Sequence, residues 1–240
     1  MITNIKTESS SNRKLLMSSP CKVSVAAFDM DGVLTKWRSS WRALHEYFGS
    51  LRLVCERDDA EKFLRGEITY EEWMRRDLEA IIKAFGRPPT KEEIIKAFSR
   101  YELVDGAREL INFLKKKRIY TVIVSGGIDL LAEMVGRELG VDVVFANKLV
   151  FSKDGYLVPR GIEVVNPLKK GELLKKLSKQ LGVPLSEFMY VGDTEWDFEA
   201  FNTVGYPILL NYGEIKSLVE SRYIIINTLY EIIEILTKCL

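Results

Sequence analysis

Val23-Ser24-Val25-Ala26-Ala27-Phe28-Asp29-Met30-Asp31-Gly32 is the stretch that decides the fold. An apolar run of strand length over residues 23–28 stops abruptly at two carboxylates and a glycine, the pattern of a buried strand followed by a turn. From residue 107 onward the chain repeats that logic. A helix is expected over residues 107–117 and a strand over 120–124 that ends in Ser125-Gly126-Gly127. A helix then runs to Leu139, followed by a strand over 143–146 and a hairpin turning at Asp154-Gly155. Asn166-Pro167 reads as the start of another helix, with Asn as cap and Pro at the first helical position. Strands over 188–191, 207–210 and 223–226 complete the series, the first ending at Gly192-Asp193 and the last preceding a C-terminal helix. Strands alternating with helices predict an α/β fold: a doubly wound, mostly parallel sheet with a Rossmann-like core.

Between the first strand and this series, residues 37–101 contain no convincing strand. Thr69 stands three residues before Glu72 and Thr90 three before Glu93, both matching a capping box ahead of apolar-periodic runs. The stretch reads as a helical cap inserted after the first strand. The domain expectation is therefore a flexible lead over 1–21, a core made of 22–36 and 102–240, and a cap over 37–101. Met1 to Pro20 is Ser-rich and polar and lacks the apolar core of a signal peptide, and Met17 offers an alternative start.

The 240 residues are 47% hydrophobic, enough for such a core with a smaller insert. Lys and Arg number 35 against 34 Asp and Glu, so no overall positive field argues for nucleic acid or a polyanionic membrane, and a small ligand fits better. No apolar run reaches the roughly 18 residues of a membrane span. Cys21, Cys55 and Cys239 are odd in number and far apart, which suggests neither a disulfide framework nor a zinc site and favours a reducing cytoplasm. The expected assembly is a monomer or homodimer.

In an open α/β sheet ligands sit beyond the carboxyl ends of the strands. Three strands here end in Asp29-Met30-Asp31, Ser125-Gly126-Gly127 and Gly192-Asp193, so distant segments are expected to meet in one crevice. A phosphate ester repels nucleophiles, so its hydrolysis needs a nucleophile, a proton donor for the leaving oxygen and concentrated positive charge. Asp29 can attack phosphorus, while Asp31 can protonate the leaving group and later activate water. Asp193 and Asp197, with Asp29, make an oxygen-rich set suited to Mg²⁺. Ser125 and the Gly126 backbone can hold phosphate oxygens, and Lys170 can neutralise charge in the transition state.

These segments resemble the motifs of the haloacid dehalogenase superfamily, most of all its phosphoserine-phosphatase-like branch. The matching residues are Phe28-Asp29-Met30-Asp31-Gly32-Val33, Val124-Ser125-Gly126-Gly127, Lys170-Gly171-Glu172, and Gly192-Asp193 through Asp197. Any one of them is weak evidence; four in order at strand ends are strong. The resemblance implies that Asp29 becomes phosphorylated and that Asp31 is the acid/base and lends its backbone carbonyl to Mg²⁺. It further implies that Asp193 is a direct metal ligand with Asp197 in support, and that the insert is a cap closing over the substrate.

The expected function is thus Mg²⁺-dependent hydrolysis of a small-molecule phosphate monoester through an aspartyl-phosphate. The alternatives are a phosphotransferase or mutase of the same superfamily, or a phospho-accepting signalling module, which would need neither Asp31 nor the insert. Plainer readings exist for each residue: Asp-Gly is a common turn, and Trp37, Trp41 and Trp73 suit an insert's core as well as a pocket. His45 reads as a packing residue of an amphipathic helix. Trp196 stands where relatives often carry Asn. In phosphoserine phosphatases an acidic residue after the first motif receives the substrate's ammonium, and an ungapped count from Asp29 places Arg38 there. A guanidinium at that point argues against phosphoserine and for an anionic ester without an amine.

Overall fold

Strand β1 (Val25–Phe28) is buried on both faces. Val25 and Ala27 enter one apolar layer, Ala26 and Phe28 the other, as the two-residue repeat of a strand requires. The structure is a computed structural model that describes residues 21–211 and 223–239; the lead over residues 1–20 and the start at Met17 lie outside the described residues. Around β1 the strands β2 (Tyr120–Ile128), β3 (Val143–Phe151), β4 (Leu157–Ile162), β5 (Phe188–Gly192), β6 (Tyr206–Leu210) and β7 (Ile224–Ile226) form one sheet. Its order is β4-β3-β2-β1-β5-β6-β7, parallel throughout except for the antiparallel β3–β4 pair.

The Phe28 side of the sheet carries Leu110, Ile111 and Leu114 of a helix over Ala107–Lys116, Leu131 and Val135 of one over Asp129–Leu139, and Ile232 and Leu236 of one over Tyr230–Cys239. The opposite side carries Leu174 and Leu177 of Lys170–Leu181, with Ala200 and Phe201. The doubly wound, mostly parallel α/β expectation stands. Because β2 and β5 flank β1 on opposite sides, the chain reverses direction of travel at β1, and a crevice opens at its carboxyl end.

Between β1 and the Ala107–Lys116 helix lie five helices, Ser40–Phe48, Leu51–Cys55, Asp59–Leu64, Tyr70–Phe85 and Lys91–Phe98, forming the helical insert. The Thr90/Glu93 capping box forms in full. The Thr69/Glu72 box forms by half: Thr69 accepts from the Glu72 amide at 3.1 Å, but the Glu72 carboxylate is taken by Arg75 and Arg76. The Tyr70–Phe85 helix rests on the β3–β4 hairpin, where Met74 covers Gly161, and the Leu157 amide donates to the Pro89 carbonyl at 2.8 Å. The hairpin turns at Gly155, which adopts φ +80°.

Three expectations are corrected. The helix after Asn166 begins at Lys170, because the Asn166 side chain caps its own turn instead, accepting from the Leu168 amide at 3.0 Å. Strand β2 runs on through Ser125, Gly126 and Gly127 to Ile128, with its pairing to β3 broken between Val124 and Ile128. Finally, Cys21 and Cys239 form a disulfide, their Cα atoms 5.3 Å apart across 218 residues of sequence. The chain's entry and its last helix meet there, a proximity no spacing rule exposes, and the cysteine argument for a reducing compartment loses its premise. Among the described residues, no helix is long and apolar enough to cross a membrane.

Candidate active site

The crevice at β1 is a cavity of about 230 Å³ lined by residues of the sheet's strand ends and of the insert. Asp29 is anchored where β1 ends, its amide donating to the Val191 carbonyl of β5 at 2.9 Å. Beyond it the chain turns sharply at Gly32, whose φ of +76° favours glycine and whose place against the Asp193 carboxylate leaves no room for a side chain. Lys170, only 2% exposed, extends its ammonium to Asp29 Oδ2 and Asp197 Oδ1, both at 2.6 Å. Lys169, beside it, is exposed, so the turn over 166–169 decides which lysine faces the cavity.

Asp31 is held differently. Its Oδ2 accepts from the Ser40 amide at 2.9 Å and the Ser40 hydroxyl at 2.7 Å, while its buried Oδ1 has no partner. Ser125 is buried, its hydroxyl accepting from the Gly127 amide at 3.0 Å. Gly127 permits the close approach of Ser40, Asp31 and Ser125, because a Cβ there would collide with the Ser40 hydroxyl. Gly126 is fixed by its carbonyl, which accepts from Tyr70 Oη at 2.6 Å and from Asn147 Nδ2 at 3.0 Å.

The two neighbouring carboxylates of the first turn thus sit in different surroundings. Burial pushes Asp31 up to about 7, with the Ser40 hydrogen bonds only partly offsetting it. Burial also raises Asp29 against the pull of Lys170. Asp193 is pushed up to about 8 by burial and by the Asp197 and Asp29 charges, although Arg38 lies 3.3 Å from its Oδ2. Burial opposes the charge on Lys170, but Asp197 and Asp29 outweigh it and hold the ammonium above its ordinary range.

Carboxylate oxygens of Asp29, Asp193 and Asp197 lie within 4.8 Å of one another, all three buried. The buried Asp193 Oδ1 has no hydrogen-bond partner. An all-oxygen donor set with excess negative charge and an open buried oxygen fits a small divalent cation. Asp197 contributes from behind: its Oδ1 accepts from Lys170 and from Tyr190 Oη at 2.7 Å, and its Oδ2 from the amides of Asp193 and Thr194 at 3.1 and 3.2 Å. Its acceptor directions are occupied, so it shapes the loop and positions Lys170.

The structure brings together Asp29, Asp31, Ser125, Gly126, Lys170, Asp193 and Asp197, and also puts Arg38 on the cavity wall. Trp41, Trp73 and Trp196 line the cavity; Trp37 packs on Phe98 instead. His45 is buried in the insert, as a packing residue should be. Sequence reading missed Ser40, Tyr70, Asp77, Asn147 and Tyr190. Asn147 alone left a trace, as an amide inside the apolar run Val143-Val144-Phe145-Ala146-Asn147.

Residues 23–205 match the family of haloacid dehalogenase-like hydrolases. The phosphoserine phosphatase of Methanocaldococcus jannaschii is 32% identical over 60% of this chain and 66% of its own length. That of Campylobacter jejuni subsp. doylei is 30% identical over 72% of this chain and 81% of its own. A solved substrate-bound phosphoserine phosphatase superimposes with a TM-score of 0.71 at 27% identity, covering 89% of this chain and 98% of that one. The chain belongs to the haloacid dehalogenase-like hydrolases and is a phosphatase.

Proposed function

We propose that this phosphatase works through a phosphorylated Asp29, with Mg²⁺ held by Asp29 and Asp193 and by the main-chain carbonyl of Asp31. Residues 37–101 serve as the cap, and 22–36 with 102–240 as the catalytic core. The observation that carries the reading is the contrast within one turn: Asp29 accepts from the Lys170 ammonium, whereas Asp31 is held by the Ser40 amide and hydroxyl and keeps one buried oxygen open. A carboxylate held against an ammonium suits the nucleophile, and one held only by neutral donors suits the acid.

In the first displacement an Asp29 oxygen attacks phosphorus, the bond to the ester oxygen breaks, and Asp31 gives that oxygen its proton. In the second, water attacks the phosphorus, Asp31 accepts the water's proton, and the bond to Asp29 breaks to release inorganic phosphate. Ser125, the Gly126 amide and Lys170 hold the phosphoryl oxygens during both. When bound, the cation offsets the repulsion between the phosphoryl group and the carboxylates.

The names of the relatives make phosphoserine the first substrate to test. Arg38 faces Asp193, so it supports the acidic end of the cavity rather than an anionic group on the alcohol. Acid-quenched enzyme taken during turnover of p-nitrophenyl phosphate with Mg²⁺ should carry a phosphoryl group on the peptide containing Asp29, detected by mass spectrometry. Steady turnover with the group on another residue, or undiminished turnover after exhaustive chelation, would overturn the reading.

A further inference from the structure

One buried charged group in the cavity has no part in phosphoryl transfer. Asp77, on the Tyr70–Phe85 helix, lines the cavity with a side chain only 8% exposed. Its Oδ1 accepts from Arg57 Nη2 at 2.6 Å. Its Oδ2 lies 3.6 Å from His45 Nε2, beyond a hydrogen bond, and that nitrogen has no hydrogen-bond partner of its own. Arg57, behind it, is already committed to Asp59 at 3.0 Å and to the Arg76 carbonyl at 2.8 Å.

Besides Arg38 and Ser39, the insert's share of the cavity wall is otherwise Trp41, Tyr70, Trp73 and Met74, facing Trp196 of the core. Trp73 and Trp196 are in ring contact at 6.4 Å, so the aromatic wall is continuous from cap to core. Of the cavity-lining residues only Arg38 and Lys170 are basic, and both are engaged by core carboxylates. A carboxylate on the alcohol would therefore meet Asp77 with no cation of the wall to receive it. An ammonium group would instead find an open carboxylate oxygen among aromatic rings, both of which attract cations in a water-poor site.

We propose that the alcohol part of the substrate carries an ammonium group and no carboxylate, seated against Asp77 and enclosed by Trp41, Tyr70, Trp73 and Trp196. The substrate class is the phosphate monoester of a small amino alcohol. This rests on the phosphatase reading for the phosphate end, and it retains the exclusion of phosphoserine on a different ground, the carboxylate rather than the amine.

The test uses Mg²⁺-loaded Asp31→Asn protein, which keeps Asp29 and Asp193 but should not turn over. Fluorescence of Trp41, Trp73 and Trp196 is titrated with phosphoethanolamine, phosphocholine, phosphoserine, phosphoglycolate and inorganic phosphate. Either amine without a carboxylate should bind about tenfold more tightly than phosphoserine or phosphoglycolate. Adding Asp77→Asn should erase that preference while leaving inorganic phosphate unchanged. Tighter binding of phosphoserine or phosphoglycolate by the Asp77-containing protein would overturn the proposal, however the Asp77 variant behaves. Turnover of p-nitrophenyl phosphate by the wild type is scored separately: its absence would sink the phosphatase reading and leave the binding order to decide this one.

Discussion

At the phosphate end of the cavity the charges face one another across the site, with Lys170 held between carboxylates of two other segments; at the cap end the one charged group, Asp77, is held from behind by Arg57 of the same insert, and the rest of the wall is largely aromatic. Lys170 is pinned between Asp29 and Asp197, Asp197 is also held by Tyr190, and Asp31 is held by Ser40. Across the cavity, aromatic side chains make non-directional contacts and Asp77 keeps one oxygen open. A network of buried charges fails when one member is removed, whereas apolar walls can be altered in steps. The catalytic end is thus built to be invariant in geometry, and the cap end to be adjustable in selectivity.

The largest effect should follow Asp29→Asn, with turnover of p-nitrophenyl phosphate falling at least about a thousandfold and the fold intact. Substantial activity with deamidation excluded by mass spectrometry would break the assignment of the phosphate end. Next, Lys170→Met should lower kcat about a hundredfold and also cost about 3 kcal/mol in urea unfolding, because Asp29 and Asp197 lose their shared counter-charge. Loss of activity without loss of stability would show that the charges are not interlocked.

Tyr70→Phe, at the cap, removes one hydrogen bond to the Gly126 carbonyl and keeps the ring contacts with Phe63 and Trp73. A rise in KM of about tenfold or less, with kcat little changed, is expected. A kcat loss as large as that of Lys170→Met would erase the distinction between the two ends. Thr90→Ala should leave turnover untouched and cost about 1 kcal/mol of stability through the lost cap, read by thermal unfolding. A change in kcat there would tie the insert's far helix to the chemistry.

Elements with a strong local pattern were legible in advance. β1, the Ala107–Lys116 helix, the hairpin at Gly155 and the Thr90 cap lie where periodicity and turn chemistry place them. The start of the Lys170–Leu181 helix did not, because an Asn side-chain oxygen can cap either a turn or a helix, and Asn166 caps the turn. Arg38 was legible as a charge near the site but not in its direction, which depends on where β5 delivers Asp193.

By itself the sequence determined the alternation of strands and helices, the insertion after β1, and the acidic, hydroxyl and lysine residues at strand and helix ends, since these follow from short-range periodicity and local turn geometry. Only the tertiary structure decided the closure of Cys21 on Cys239, the grip of Ser40 on Asp31 and of Tyr190 on Asp197, and the arrival of Asp77 beside Trp41 and Trp73. Those contacts join residues whose spacing along the chain carries no signal: their proximity is set by sheet order and by how the insert packs on the β3–β4 hairpin, both long-range outcomes of burying apolar surface.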